Sequence, residues 1–370
     1  MAINLNETKH YQLSRTLGEA IRYMSPGEPL PTILELKKKY NVSQVTISQA
    51  LDRLRAQGIV ERLPFGRKRL AVSRAGVRPL FRVTLMRPLW SSPDFDTVTN
   101  AIYTLGLEQN FQFSLHVFSD IANLNCEEVL RNSDAGLVIG EPTVRKDLIT
   151  AFNRSRKPLV FLRDKPDGVR ANSIWIDDKM VGQMATQHLL DLGHERIVVM
   201  LSEPSNPSSL GRMRGWEMAM QKKGIRDYEN LIADCSTQPG KNAIQNSYER
   251  FDAWLDTNPA PFTGLFCVGW TGALAALRAL RERNIAVPGQ VSVITFDSES
   301  ALCDFANPRL TALTLNLSKY AHEAIQLVQQ AINDHSRQKI QKLIMKPILV
   351  PRQSTGPVPV AIPGGGISRS

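Results

Sequence analysis

Residues 32–54 read TILELKKKYNVSQVTISQALDRL, and this stretch decides how the N-terminal part of the chain folds. Thr32 and Glu35 have the spacing of a capping box, in which the threonine hydroxyl accepts from the first-turn backbone and the glutamate reaches back to the cap. A helix that starts there should end near Tyr40-Asn41, and Ser43 can cap a second one. In that second helix Ile47, Ala50, Leu51 and Leu54 recur on one face at helical spacing, and Gln44, Ser48, Gln49 and Arg53 fall on the opposite face. Two helices joined by a tight turn, the second with a polar face, make a helix-turn-helix. Such a second helix fits the DNA major groove, with its N-terminal residues nearest the base edges.

Upstream, Leu13, Leu17, Ala20 and Ile21 mark a first helix from roughly Tyr11 to Tyr23, broken by Ser25-Pro26-Gly27-Glu28-Pro29. Downstream, Gly58 ends the third helix. Ile59–Leu63 and Lys68–Val72 then read as two short strands joined by Pro64-Phe65-Gly66-Arg67, a wing whose Arg67, Lys68 and Arg69 would lie along phosphates or in the minor groove. Candidate DNA-binding residues are therefore Thr32, Ser43, Gln44, Thr46, Ser48, Gln49, Arg53, Arg67, Lys68 and Arg69. Charge agrees. Residues 1–78 hold 14 Lys+Arg against 6 Asp+Glu, so +8 of the whole chain's +10 sits there, as expected of a polyanion-binding module on a nearly neutral body. This stretch resembles the GntR family of winged-helix regulators at Pro26–Thr32, Tyr40–Ile47, Ala50–Leu54 and Gly58–Val60. It departs from the family at Leu34, Gln44 and Ser48, where arginine is usual, and at Lys68, where a second glycine is usual. The family's operator preference therefore does not carry over.

Residues 74–79 read as a polar, basic linker. After it the pattern changes. Short apolar runs recur, each followed by a helical stretch: Val83–Met86, Ala135–Ile139, Leu159–Leu162, Ile174–Ile176, Ile197–Leu201, Leu265–Val268 and Val291–Phe296. Strands buried on both faces read this way, and alternation with helices implies parallel α/β sheets, two of them for this length. Here the chain resembles the LacI family's effector domain, at Ile176–Ala185, His188–Ile197, Arg212–Ala219, Val287–Asp297, Asn307–Leu313 and Val350–Thr355. The resemblance implies a periplasmic-binding-protein-like fold of two α/β lobes around a ligand, in a dimer whose DNA affinity responds to that ligand.

The expected fold class is α/β: an N-terminal winged helix-turn-helix (1–73), the linker (74–79), a two-lobed periplasmic-binding-protein-like domain with parallel sheets (80–355) and a flexible tail (356–370). Ligands of open α/β sheets bind at strand carboxyl ends. That rule and the family pattern select Asp297, Arg212, Arg163 and Trp270 as ligand-binding, with Phe95 and Trp90 as pocket walls. Gly269-Trp270 stands where the family commonly has Asn-Asp. The lost carboxylate, with two arginines present, tilts the pocket towards a ligand bearing a carboxylate or phosphate. Trp175 and Trp216 read as core.

The expected function is a ligand-responsive transcription regulator, a repressor by resemblance. Its partners would be double-stranded DNA (a pseudo-palindromic operator), a sugar or sugar acid, and a second copy of the chain in a homodimer. Transport binding proteins and α/β enzymes are the competing readings. No nucleophile elbow, phosphate loop or His-Glu metal spacing appears, so no catalytic residue, metal or cofactor is expected. Cys126, Cys235, Cys267 and Cys303 lack disulfide or metal spacing and read as buried, reduced thiols. With neither a secretory signal nor a spanning run, the expected setting is cytoplasmic, away from the membrane.

Overall fold

The computed structural model describes residues 9–21, 24–25, 27–56, 58–63, 70–73, 81–89, 93–109, 111–119, 124–139, 146–163, 165–204, 206–238, 241–258, 261–297, 302–333 and 340–358. The chain forms two compact units, Met1–Arg82 with Leu107–Gln112, and Val83–Gly106 with Phe113–Ser370.

In the first unit, α1 (Lys9–Ile21), α2 (Ile33–Tyr40) and α3 (Gln44–Ala56) precede an antiparallel pair, β1 (Val60–Arg62) and β2 (Leu70–Val72), in which Val60 faces Val72. The capping box forms: Thr32 N–H donates to Glu35 Oε2 at 2.6 Å, and Glu35 N–H donates to Thr32 Oγ1 at 3.3 Å. Asn41 closes α2 in the left-handed region (φ 49), which its short polar side chain tolerates. Ser43 Oγ then accepts from Thr46 N–H at 3.2 Å and starts α3. Leu13, Leu17 and Ile21 pack with Leu36, Ile47, Ala50, Leu54, Val60 and Val72 in one core. The first helix starts two residues before the expected Tyr11 and is described to Ile21. Tyr23, the wing turn with Arg67, Lys68 and Arg69, and the linker 74–79 lie outside the described residues.

The second unit holds two six-stranded sheets, apart from residues 81–82, 107–108 and 111–112, which cluster with the first unit. In chain order its elements are β3 (Phe81–Pro88), α4 (Pro93–Glu108), β4 (Phe111–Phe118), α5 (Cys126–Val129), β5 (Ala135–Ile139), α6 (Lys146–Arg154), β6 (Leu159–Leu162), β7 (Asn172–Ile176) and α7 (Asp178–Asp191). They continue with β8 (Ile197–Leu201), α8 (Pro207–Lys223), β9 (Ile232–Asp234), α9 (Ala243–Thr257), β10 (Gly264–Cys267), α10 (Trp270–Glu282), β11 (Ser292–Phe296), α11 (Leu302–Phe305), β12 (Thr311–Thr314), α12 (Leu317–Asn333), β13 (Lys342–Met345) and β14 (Ile348–Val350). The strand orders are β13-β7-β6-β5-β3-β4 and β14-β12-β11-β10-β8-β9. In the second sheet β14 runs antiparallel to β12, while β8, β9, β10, β11 and β12 pair in parallel. All seven apolar runs are strands, to within a few residues at their ends. Five further strands went unread. β4, β9, β13 and β14 are edge strands, and β4 and β13 expose half of their residues instead of forming a continuous apolar run. β12 is central, but threonine bounds it on both sides.

Two features fix the second sheet's surroundings. Helices α7 and α8 cross in contact: a Cβ on Gly182 would meet the Arg212 carbonyl, and one on Gly215 would meet the Lys179 carbonyl. Trp216, fully buried, donates its indole N–H to the Ile197 carbonyl at 3.1 Å. Trp175, expected in the core, is instead half-buried beside Lys342, whose ammonium sits 3.9 Å from its ring centroid. At the far end of the sheet, buried His194 donates from Nε2 to the Gly356 carbonyl at 3.0 Å and accepts at Nδ1 from the Thr263 hydroxyl at 3.0 Å. His188 contacts Thr355 Oγ1 at 3.0 Å, so both imidazoles hold the closing segment 355–356.

Gly215→Ala should lower stability by about 3 kcal/mol, because a methyl there must push one helix backbone off the other; a denaturant titration measures it. Burial holds the His188 and His194 pKa values below the ordinary 6.5. The unfolded chain therefore takes up these protons more readily, so their contribution is fully present above pH 6.5 and is lost as pH falls. The denaturation midpoint should fall from pH 7.5 to 5.5, and His194→Gln should make that dependence shallower.

Candidate functional site

The polar face of α3 comes through as read. Gln44, Gln49 and Arg53 are exposed, Thr46 and Ser48 half-buried, and Ile47, Ala50, Leu51 and Leu54 face inward. Ser43 and Thr32 are cap residues, with Ser43 exposed and Thr32 half-buried. Arg53 turns back so that its guanidinium lies 4.2 Å from the Tyr11 ring centroid of α1. Lys37, Lys38 and Lys39 are exposed along α2. Two side chains that polarity alone could not flag stand out here: Leu34 and Val45 are each 66% exposed.

In the second unit, the Arg212 side chain reaches the ends of β10 and β11, after which Trp270 and Asp297 follow in the chain. Arg212 is fully buried on α8. Its Nε donates to Asp178 Oδ1 at 2.8 Å, its Nη1 donates to the Val268 carbonyl at 2.6 Å, and its plane lies 3.8 Å from the Phe296 ring centroid. Phe296 ends β11 and places Asp297 next in line, 1% exposed, with the Cys303 thiol hydrogen-bonded to its carboxylate. Val268 leads through Gly269 into Trp270, the buried first residue of α10.

Four polar atoms around this point have no hydrogen-bond partner among the described residues: Ser202 Oγ, Ser209 Oγ, Thr271 Oγ1 and Arg212 Nη2. All four residues are at least nine-tenths buried. Ser202 follows β8, and its Oγ lies 2.7 Å from where a Cβ on Gly272 would stand, so it abuts the first turn of α10, which carries Thr271. Ser209 is three residues before Arg212 on α8. Buried polar groups in native proteins are almost always paired, so these unpaired groups beside strand ends are candidates for ligand contact. Sequence reasoning missed Ser202, Ser209 and Thr271, because single hydroxyls in loops and first turns carry no pattern.

Arg163 and Phe95 belong to the other sheet's surroundings. Arg163 follows β6 with its backbone in the left-handed region (φ 69), its N–H bonded to the Ile174 carbonyl at 2.8 Å and its guanidinium 6.0 Å from the buried Phe95 ring. A non-glycine residue held at positive φ is strained, as ligand-contacting residues often are. Trp90 lies outside the described residues. Among the described residues no group of three or more His, Cys, Asp and Glu could hold a metal ion, and no helix is long and apolar enough to cross a membrane. The four cysteines are free and buried, and burial pushes the Cys126 and Cys235 thiols up to about 11 and about 12.

The chain combines a helix-turn-helix unit with a body that holds two mainly parallel sheets. Residues 15–66 match the bacterial regulatory proteins of the gntR family, and residues 186–355 match the periplasmic binding protein-like domain. These two matches cover the helix-turn-helix and the later part of the body. It is 25% identical over 342 residues to the HTH-type transcriptional regulator DegA of Bacillus subtilis, covering 88% of this chain and 98% of that one. It is 26% identical over 340 residues to the arabinose metabolism transcriptional repressor of Halalkalibacterium halodurans, covering 87% and 89%. Among solved structures, a LacI family transcriptional regulator from Enterococcus faecium with bound ribose shares the fold, with a TM-score of 0.63 at 21% identity over 74% of this chain and 99% of that one.

Thr271→Val replaces the unpaired hydroxyl with a methyl of the same shape. The free protein should be as stable or more stable, by up to about 1 kcal/mol, because a buried unsatisfied group is removed. Effector affinity should fall about tenfold. Equal effector affinity in variant and parent, measured by calorimetry, would remove Thr271 from the site.

Proposed function

We propose that this protein is a cytoplasmic repressor that works as a homodimer on a pseudo-palindromic operator, and that a small sugar held at the ends of β8, β10 and β11 changes its operator affinity. The observation that carries this reading is the cluster of Ser202, Ser209, Thr271 and Arg212 Nη2, buried and unpaired, in a chain whose other unit presents a helix-turn-helix.

The charge balance favours an uncharged polyol over a sugar acid or phosphate. Arg212, which tilted the sequence reading towards anions, already has its charge met by Asp178 at 2.8 Å. What remains is one pair of N–H donors and three hydroxyls that can donate or accept, beside the Asp297 carboxylate, a set suited to sugar hydroxyls. The arabinose-metabolism relative and the ribose-bound neighbour support the same class. Because the unpaired atoms are shielded from solvent here, ligand entry requires the surrounding elements to rearrange. Binding would therefore select between two arrangements of the body, and the operator affinity would follow that population shift. A coupling of about 1–3 kcal/mol would change operator affinity about 5- to 150-fold. Such a sensor releases its ligand unchanged, with no catalytic role for Asp297 or any neighbour.

Purified protein should retard DNA from upstream of its own gene, and a pentose or hexose from a panel of neutral sugars and sugar acids should change that retardation. A response to sugar acids alone would overturn the assignment of ligand class.

A further inference from the structure

Resting on the DNA-binding reading of α3, we infer that this chain reads a half-site core rich in A·T pairs, with Val45 and Leu34 packing on thymine methyl groups and Gln44 and Gln49 reading adenines.

The outward face of α3 has few groups left to offer a base. Its two arginines are engaged: Arg53 lies over the Tyr11 ring at 4.2 Å, and Arg55 pairs with Asp52 at 3.3 Å. Over the first two turns the exposed groups are the carboxamides of Gln44 and Gln49 and the isopropyl of Val45, with Ser48 half-buried between them. A carboxamide offers one donor and one acceptor, which matches adenine N7 and N6–H2 in the major groove. Guanine presents two acceptors, N7 and O6, and is read by a guanidinium or ammonium instead. Val45 and Leu34 occupy the second position of α3 and α2, and each leaves 66% of its surface in water. The one apolar feature on a major-groove floor is the thymine C5-methyl. Lys37, Lys38 and Lys39, exposed along α2, make a polyanion the fitting occupant of this face rather than a protein surface.

The test uses the full chain and starts from duplexes of random sequence. Those that the protein retains are sequenced. Each enriched thymine is then replaced in turn by deoxyuridine, which keeps the O4 acceptor and the pairing and removes only the methyl. The expected result is a core of adjacent A·T pairs in each half-site, with at least one replacement weakening binding about fourfold, the worth of one buried methyl. Val45→Ala should bind thymine and deoxyuridine duplexes equally at one such position, and Leu34→Ala should do so at another. Both side chains are exposed, so neither truncation touches the core. A retained core of G·C pairs, or indifference to every methyl, overturns the inference while leaving DNA binding intact. Failure to retain any duplex at low salt overturns the DNA-binding reading itself.

Discussion

The close crossing of α7 and α8 is the constraint on which the sensing unit depends. Gly182 lies against the Arg212 carbonyl and Gly215 against the Lys179 carbonyl, so the two backbones approach with no side chain between them. That approach brings Asp178, the first residue of α7, within 2.8 Å of Arg212 on α8. A guanidinium with no solvent exposure is tolerable only if its charge is met and its donors are used. Asp178, the Val268 carbonyl and the Phe296 ring meet those needs for most of the group. Arg212 thereby ties two helices to the ends of β10 and β11, and each further site element is placed relative to that tie.

The tie is incomplete, and the incompleteness has chemical meaning. One guanidinium nitrogen and three nearby hydroxyls are buried without partners among the described residues. Each such group costs roughly 1–3 kcal/mol relative to a paired one. The second unit thus keeps local penalties that a ligand's hydroxyls would relieve by pairing with these groups. A ligand that relieves them in one arrangement of the body and not in another has the differential affinity that a switch requires.

The legible parts of the sequence were those governed by short-range rules. The Thr32–Glu35 box, the Ser43 cap and the inward face of α3 follow from spacing within a single helix. The buried central strands follow from unbroken apolar runs. Edge strands such as β4 and β13 escaped because half of their residues face water. The site was half legible. Asp297 and Trp270 follow strands and Arg212 reaches the same ends from α8, but its ion pair with Asp178, 34 residues away, is a contact that no local pattern encodes. Ser202, Ser209 and Thr271 became visible only once their hydroxyls were found without partners. Likewise the exposure of Leu34 and Val45 could not be read from their hydrophobicity, which by itself points inward.

The proposed switch couples the polar cluster around Arg212 to the recognition surface around α3 within one chain. Linkage makes coupling reciprocal: if the effector changes operator affinity by some factor, the operator must change effector affinity by the same factor. The most direct measurement is therefore effector binding by calorimetry, with and without saturating operator duplex. A shift in effector affinity equal to the effector's shift of operator affinity is the predicted result. Identical effector affinities in the two titrations, alongside intact DNA binding, would show that the two units act independently and would contradict it.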